Sequence, residues 1–287
     1  MRPTIFLINL DIAQERLAFM QEQARRAGIN LERVPGVAGA AVDERWRDQF
    51  LLPDGRIASL LNAGEVGCYA SHLLVCSHIV ERDLPLAVVL EDDVEVPEDF
   101  GQFIDAVPDL LPPAWDIIKL NNHPSRAVYS LGRVGPRHLV RFYRQPPMTG
   151  GYLISNAGAR KLLVPRPRNK PIDMEMRQPW NMDLDMFGIC PRAVHQLQSM
   201  GSYIYQVGGH RLRRGSHFRD PARTFAYAVR TMGLLPTMAC RLAEVWQVLV
   251  PGPQAPPASG RGAWVPKGRI KPPRRARTDH VGVPTRS

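Results

Sequence analysis

Apolar and polar positions switch between two periods along this chain. Thr4 to Leu10 (TIFLINL) is a short, nearly unbroken apolar run, as expected of a strand buried on both faces. Asp11 follows as a possible N-cap. Ile12 to Ala27 sets Leu17, Met20 and Ala24 at helical spacing between charges. Gly28 suits a helix C-terminus, and Leu31 to Val37 reads as a second strand. Ala41 to Leu61 follows neither period. Asn62 to Asp83 predicts a helix that is apolar around much of its girth and therefore buried. It feeds a short Val-rich strand, Leu86 to Leu90, which stops at Glu91, Asp92 and Asp93. Phe100 to Leu111 predicts an amphipathic helix ended by Pro112 and Pro113. Strands are expected at Trp115–Leu120, at Leu139–Tyr143 as an edge, and at Tyr152–Ser155, with Asn156 capping a helix through Leu163. Pro165 to Pro171 reads as a loop, Trp180 to Phe187 as helical, and Ala193 to Gln196 as a late strand. Arg223 to Val250 is helical in pattern with a break or kink at Pro236.

Alternating strands and helices over 287 residues predict an α/β domain at residues 1–220. A helical amphipathic segment at 221–250 and a Pro-, Gly- and Arg-rich tail at 251–287 follow, the tail with too little to bury to fold in isolation. Charge sharpens this division. Tyr205 to Ser287 holds fifteen Lys and Arg against three acids, whereas Met1 to Ile204 holds twenty-two against twenty-four. A near-neutral body argues against a nucleic-acid groove. No apolar run approaches the ~18 residues of a membrane span, and the N-terminus reads as a strand, with no signal-peptide cleavage site. Cys68, Cys76, Cys190 and Cys240 are scattered, so a reduced, cytosolic setting without disulfides is expected. The opening β-α-β unit lacks GxGxxG.

The candidate chemistry lies at Glu91, Asp92 and Asp93. Adjacent like charges repel, so these acids are expected at the sheet edge beside water or a cation. Carboxyl ends of strands are where open α/β sheets bind ligands, and a hard cation there bridges carboxylate to phosphate oxygens. The other reading is a solvated acidic turn.

Six stretches carry a resemblance when taken together. They are INLD, GEVGCYASH (Gly64–His72), VLEDDV (Val89–Val94), IIKLN (Ile117–Asn121), TGGYLIS (Thr149–Ser155) and PID (Pro171–Asp173). In this order the chain from about Thr4 to Ile204 resembles glycosyltransferase family 25, the lipooligosaccharide and lipopolysaccharide glycosyltransferases. The resemblance implies a GT-A-type, Rossmann-like mixed sheet flanked by helices, here with a basic helical C-terminal extension. It implies a nucleotide-sugar donor such as a UDP-sugar, Mn²⁺ or Mg²⁺, and inversion at the anomeric carbon. It assigns Asp93 and Glu91 to the metal and Asn9, Arg16, Glu65, His72, Glu91, Asp92 and Gly151 to the donor site. Asp173 becomes the first choice for the acceptor-side base, with Asp183 and Asp185 in reserve. His72 reads equally as a hydrogen-bonded core histidine, Arg16 as a solvated helix residue, and Cys68 as a small buried residue. The chain departs from the resemblance at Ile12-Ala13-Gln14, where a more basic run is usual.

The expected activity is transfer of a hexose, galactose first, to a lipooligosaccharide-type glycan or glycolipid acceptor. The enzyme is expected in the cytoplasm, peripheral at the inner face of the inner membrane, with the basic C-terminal segment against anionic lipid. A metal-dependent nucleotide hydrolase and a non-enzymatic anionic-membrane-binding protein are the alternatives.

Overall fold

The computed structural model describes residues 2–107, 111–112, 114–122, 127–197 and 220–249. The tail at 251–287, expected to be disordered in isolation, lies outside them. An eight-stranded mixed sheet organises the body. Its strands are β1 (Thr4–Asn9), β2 (Glu32–Pro35), β3 (Leu86–Glu91), β5 (Ile117–Lys119), β6 (Val128–Val134), β7 (Arg137–Phe142), β8 (Gly151–Ser155) and β9 (Met186–Cys190). Their order is β2-β1-β3-β8-β5-β9-β7-β6. β1 runs parallel to β2 and β3, β5 parallel to β9, and β8 antiparallel between β3 and β5. The carboxyl ends of β1, β3, β5 and β9 therefore share one edge of the sheet. A separate two-stranded ribbon pairs β4 (Val94–Glu95) with β10 (His195–Gln196) just beyond that edge.

Helices cover both faces, so the strands carry apolar residues on both sides, as parallel sheets do. On one face α3 (Ala63–Glu81), α5 (Asn156–Leu163) and α6 (Ile172–Met176) pack Val66, Leu73, Leu162 and Met176 over Phe6, Val89 and Ile154. On the other, α1 (Gln14–Ala27) and α4 (Phe100–Ala106) pack Met20, Ala24, Phe100 and Ile104 over Leu7, Val88, Leu90 and Ile118. Each fully buried large side chain contributes roughly 1.5–3 kcal/mol of hydrophobic stabilisation.

Local signals explain the helix ends. Gly28 closes α1 in the left-handed region at φ 62, its N–H reaching the carbonyls of Ala24 and Arg25. Asn62 caps α3 through a reciprocal capping box with Glu65. Asp11 does not cap α1. A turn in which the Ala13 N–H bonds to the Leu10 carbonyl makes Ala13 the cap, and Asp11 pairs with Arg33 instead. Ser155, not Asn156, caps α5, its Oγ accepting from the Gly158 N–H at 3.0 Å.

Other expectations change where tertiary pairing decides. Leu139–Tyr143 falls largely in β7, an interior strand, because β6 forms the edge beyond it. Trp180–Phe187 is not one helix. A 3-10 turn at Pro179–Asn181 leads to Asp183 at φ 47, and Met186–Cys190 is drawn into the sheet between β5 and β7. Ala41–Leu61 contains a 3-10 turn at Glu44–Trp46 and α2 (Arg47–Phe50). The C-terminal segment forms α7 (Pro221–Met232) and α8 (Leu234–Leu249). The break lies at Gly233, φ 88, and Pro236 sits in the first turn of α8, where its missing N–H is tolerated. Tyr227 of α7 fixes this segment to the body, donating to the Leu184 carbonyl and accepting from the Met186 N–H, both at 3.0 Å.

Candidate active site

The pleat of β3 sorts the three acids. Successive side chains point to opposite faces, so Val89 and Glu91 face α3 while Leu90 and Asp92 face α1. Asp93 lies past the strand end, where Gln196 Nε2 donates to its Oδ2 at 3.1 Å. All three acids line a cleft between β1, β3, the loop after β2 and the start of α3.

The motif GEVGCYASH builds the wall opposite the acids. A Cβ on Gly67 would meet the Val37 carbonyl at 2.3 Å and the Gly39 carbonyl at 2.7 Å, so only glycine lets that loop cross the helix. Ser71 fixes the crossing, its Oγ accepting from the Val37 N–H at 2.8 Å and donating to the Gly67 carbonyl at 2.7 Å. Cys68 and His72, four residues apart, then face the acids from one side of α3. Glu65 belongs to the cap of this helix, its carboxylate accepting from the Asn62 N–H at 3.0 Å.

Asp92 is buried and engaged at both oxygens, by Arg16 Nη1 at 2.8 Å and by Asn9 Nδ2 at 2.7 Å. Asn9 also donates to the Ala13 carbonyl at 3.1 Å and accepts from Arg33 Nε at 2.9 Å. These residues tie β1, α1 and β3 together and hold the guanidinium of Arg16 at the cleft. Asp92 is thus spoken for within the protein.

Glu91 and Asp93 differ from it. His72 Nε2 lies 3.2 Å from Glu91 Oε1, and His72 Nδ1 lies 2.8 Å from Tyr152 Oη. Burial pushes the Glu91 carboxyl up, but the bonds from His72 and Thr149 and the charges of His72 and Lys119 together hold it below its ordinary value. Asp93 has only the Gln196 bond and the charge of Arg16 in its favour. Burial, then the charge of Glu91, pushes it up to about 7, and its buried Oδ1 has no hydrogen-bond partner among the described residues. An ionised Asp93 beside Glu91 calls for a cation. Glu91 and Asp93 oxygens fit a hard divalent ion, whereas both oxygens of Asp92 already accept bonds from Arg16 and Asn9. The acidic end thus borders a cleft, yet its acids are more buried than a solvated turn requires.

Lys119 lies within IIKLN, and the sequence alone does not single it out. It is fully buried, donates to the Met148 carbonyl at 2.5 Å, and is felt electrostatically by Asp173 and Glu91. Burial pulls its ammonium down to about 8. Asp173, at the start of α6, accepts from the Met174 N–H at 2.8 Å, and its charge reaches both Lys119 and Cys68. Asp173 therefore reaches the cleft electrostatically, through the lining residue Cys68. Asp185 does not. It lies at the amino end of β9, on the far edge of the sheet, ion-paired with both terminal nitrogens of Arg141. Asp183 is near it and pairs with Arg230 at 3.0 Å. Gly151 is covered rather than open to a ligand, since a Cβ there would meet Val194 Cγ2 at 2.5 Å.

The profile of Glycosyltransferase family 25 (LPS biosynthesis protein) matches residues 2–176. Curated relatives include Procollagen galactosyltransferase 1-B of Xenopus laevis, 33% identical over 59% of this chain and 30% of its own length. Procollagen galactosyltransferase 2 of Homo sapiens is 27% identical over 59% of this chain and 29% of its own. A Mus musculus relative, 29% identical over 65% of this chain and 36% of its own, is named Inactive glycosyltransferase 25 family member 3. The chain spans about a third of the length of these relatives. The stretch matched by the profile contains β1, the GEVGCYASH helix, the acids of β3 and Asp173, and on this ground the chain belongs to glycosyltransferase family 25.

Proposed function

We propose that this protein transfers a hexose, galactose first, from a nucleotide diphosphate donor to a hydroxyl of a lipooligosaccharide- or lipopolysaccharide-type glycan, with inversion. The observation that carries the reading is the cleft at the carboxyl ends of β1 and β3, where a buried oxygen of Asp93 near Glu91 has no partner among the described residues. Two further features support it. Gly64, in the first turn of α3, lines the cleft, so the positive end of a long helix faces the position of a diphosphate. The guanidinium of Arg16 lies at the same cleft, oriented by Asp92. Glu91 and Asp93 are the residues that would hold Mn²⁺ or Mg²⁺, and such an ion supplies positive charge to a departing diphosphate. Asp173 is the proposed base that takes the proton of the acceptor hydroxyl, with the Lys119 charge nearby. Buried Tyr152 and His72 orient Glu91. The galactosyltransferase names of two relatives favour galactose, and the family's description favours a lipopolysaccharide acceptor.

We further propose that the protein works at the cytoplasmic face of the inner membrane. No helix among the described residues is long and apolar enough to cross a membrane. Leu234, Leu235, Met238, Leu242 and Val245 are exposed along α8. Arg269, Lys271, Arg274, Arg275 and Arg277 follow in the sequence, each worth ~1 kcal/mol at an anionic leaflet. Sedimentation with anionic vesicles and release by salt is the expected outcome, and equal binding to neutral vesicles refutes it. For the activity, the test is product analysis with a panel of nucleotide sugars, with and without a glycan acceptor. Glycoside formation supports the proposal, and nucleotide release at the same rate without acceptor favours a hydrolase.

A further inference from the structure

Cys68 brings a sulfur donor to a cleft otherwise lined with nitrogen and oxygen donors. The thiol is partly exposed and lines the cleft with Glu91, Asp92 and Asp93. As a metal ligand it would share one ion with Glu91. Cys68 Sγ, a ring nitrogen of His72 and a carboxylate oxygen of Glu91 lie within 4.8 Å of one another.

We propose that Cys68, His72 and Glu91 form a divalent-metal site of sulfur, nitrogen and oxygen donors, which prefers a borderline ion such as Zn²⁺ or Co²⁺ to Mg²⁺. Sequence and geometry both build it. Cys68 and His72 stand at i and i+4 on α3, so they project side by side. Glu91 meets them from β3, its Oε1 3.2 Å from His72 Nε2. Around a tetrahedral zinc ion, bonds of about 2.0–2.3 Å separate ligand atoms by roughly 3.3–3.8 Å, so only a small contraction is needed. The other nitrogen of His72 is held by Tyr152 Oη at 2.8 Å, the outer-shell contact that fixes ring orientation in metal-bound histidines. All three ligands line the cleft, which leaves a fourth position facing it. Asp93, whose buried Oδ1 has no partner among the described residues, lines the same cleft.

The protons balance. On ligation the Cys68 S–H bond breaks, a sulfur–metal bond forms, and that proton leaves to solvent. A proton on His72 Nε2 leaves to solvent likewise, and the proton that remains sits on Nδ1, donated to Tyr152 Oη, so the Nε2 lone pair binds the metal. The thiolate is what distinguishes this set from carboxylates alone, since sulfur selects softer ions.

The inference rests on the reading of this cleft as cation-binding, not on the sugar transferred, and the test separates the two. The full chain is stripped with a chelator, its fold is checked by circular dichroism, and Co²⁺ is titrated while absorption is followed. The expected result is one equivalent of Co²⁺ with a thiolate-to-cobalt charge-transfer band, displaced by Zn²⁺ and not by excess Mg²⁺. Cys68→Ser should fold and lose the band, with Cys68→Ala as the second variant if the first does not fold. Tyr152→Phe should keep the band and weaken Co²⁺ binding about 10- to 100-fold. A folded wild-type protein without the band overturns the site, as does a band that survives in either Cys68 variant. Mn²⁺-supported sugar transfer is measured in parallel, so an all-oxygen site with intact transfer overturns this inference and leaves the proposed function standing.

Discussion

Removing the buried ammonium of Lys119 should change how stability responds to pH, and by a calculable amount. Lys119 is fully buried, and burial lowers it from its ordinary 10.5 to about 8, against the opposing pull of Asp173 and Glu91. Below about pH 8 the ammonium is charged in both folded and unfolded chains, and the folded state carries the whole desolvation cost. Between about 8 and 10.5 the folded protein has released a proton that the unfolded chain still holds, so stability rises with pH. Above that window the effect is complete. At 1.36 kcal/mol per unit, the full change amounts to about 3 kcal/mol. Lys119→Met keeps the length of the side chain and removes the titration. Chemical denaturation of both proteins at neutral pH and at about pH 10 isolates the lysine, since Tyr and Cys titrations are common to both. Wild type should gain on the variant by most of that ~3 kcal/mol. A difference that stays flat would mean the ammonium is solvated, and the charge balance drawn here for Glu91 and Asp173 would fail with it.

Asp93 should show the reverse dependence in metal-free protein. Its folded value of about 7 lies above the ordinary 3.8, so its contribution is present below about pH 4 and lost as pH rises to 7. Asp93→Asn should therefore be more stable than wild type at neutral pH in EDTA, read by thermal melts. Gly67→Ala should lose roughly 1–3 kcal/mol in denaturant, because its new methyl meets backbone carbonyls that cannot turn aside. Asp185→Asn should lower stability through its Arg141 partner while leaving the transfer rate within about twofold, since the pair lies on the far sheet edge.

The elements that follow local pattern were legible in the sequence. β1, α1, α3, β3, β8 and α5 lie within or close to the predicted stretches because each carries its own periodicity and end signals, such as Gly28 and the Asn62–Glu65 capping box. The helical pattern of Trp180–Phe187 runs into the start of β9 because the turn at Asp183 has no strong sequence mark, and sheet neighbours decide the conformation of Met186–Cys190. β6 was missed because its glycine-containing, half-polar stretch pairs only through β7 and carries a bulge at Ser130–Gly132. In the site, the gathering of acids at a strand end was readable, but their division was not. That Asp92 is engaged by Arg16 and Asn9, while an Asp93 oxygen has no partner among the described residues, depends on contacts from residues more than seventy positions away. Lys119 could have been found from a lysine inside an apolar strand, since a charge there is rarely left without carboxylates nearby. Asp173 and Asp185 look alike as acids in the sequence, and only the fold separates them, one at the start of α6 and the other at the amino end of β9.

The central claim is that the cleft at Glu91 and Asp93 transfers a sugar with Asp173 as base. The most direct measurement follows nucleoside diphosphate release and glycoside formation together, from UDP-galactose with Mn²⁺ and a lipooligosaccharide-type acceptor, in wild type and Asp173→Asn. Release should depend on acceptor and match the glycoside formed. Asp173→Asn should lose ~10²–10⁴ in rate with donor affinity unchanged. Release that ignores the acceptor, or an Asp173→Asn enzyme that transfers at the wild-type rate, would contradict that claim.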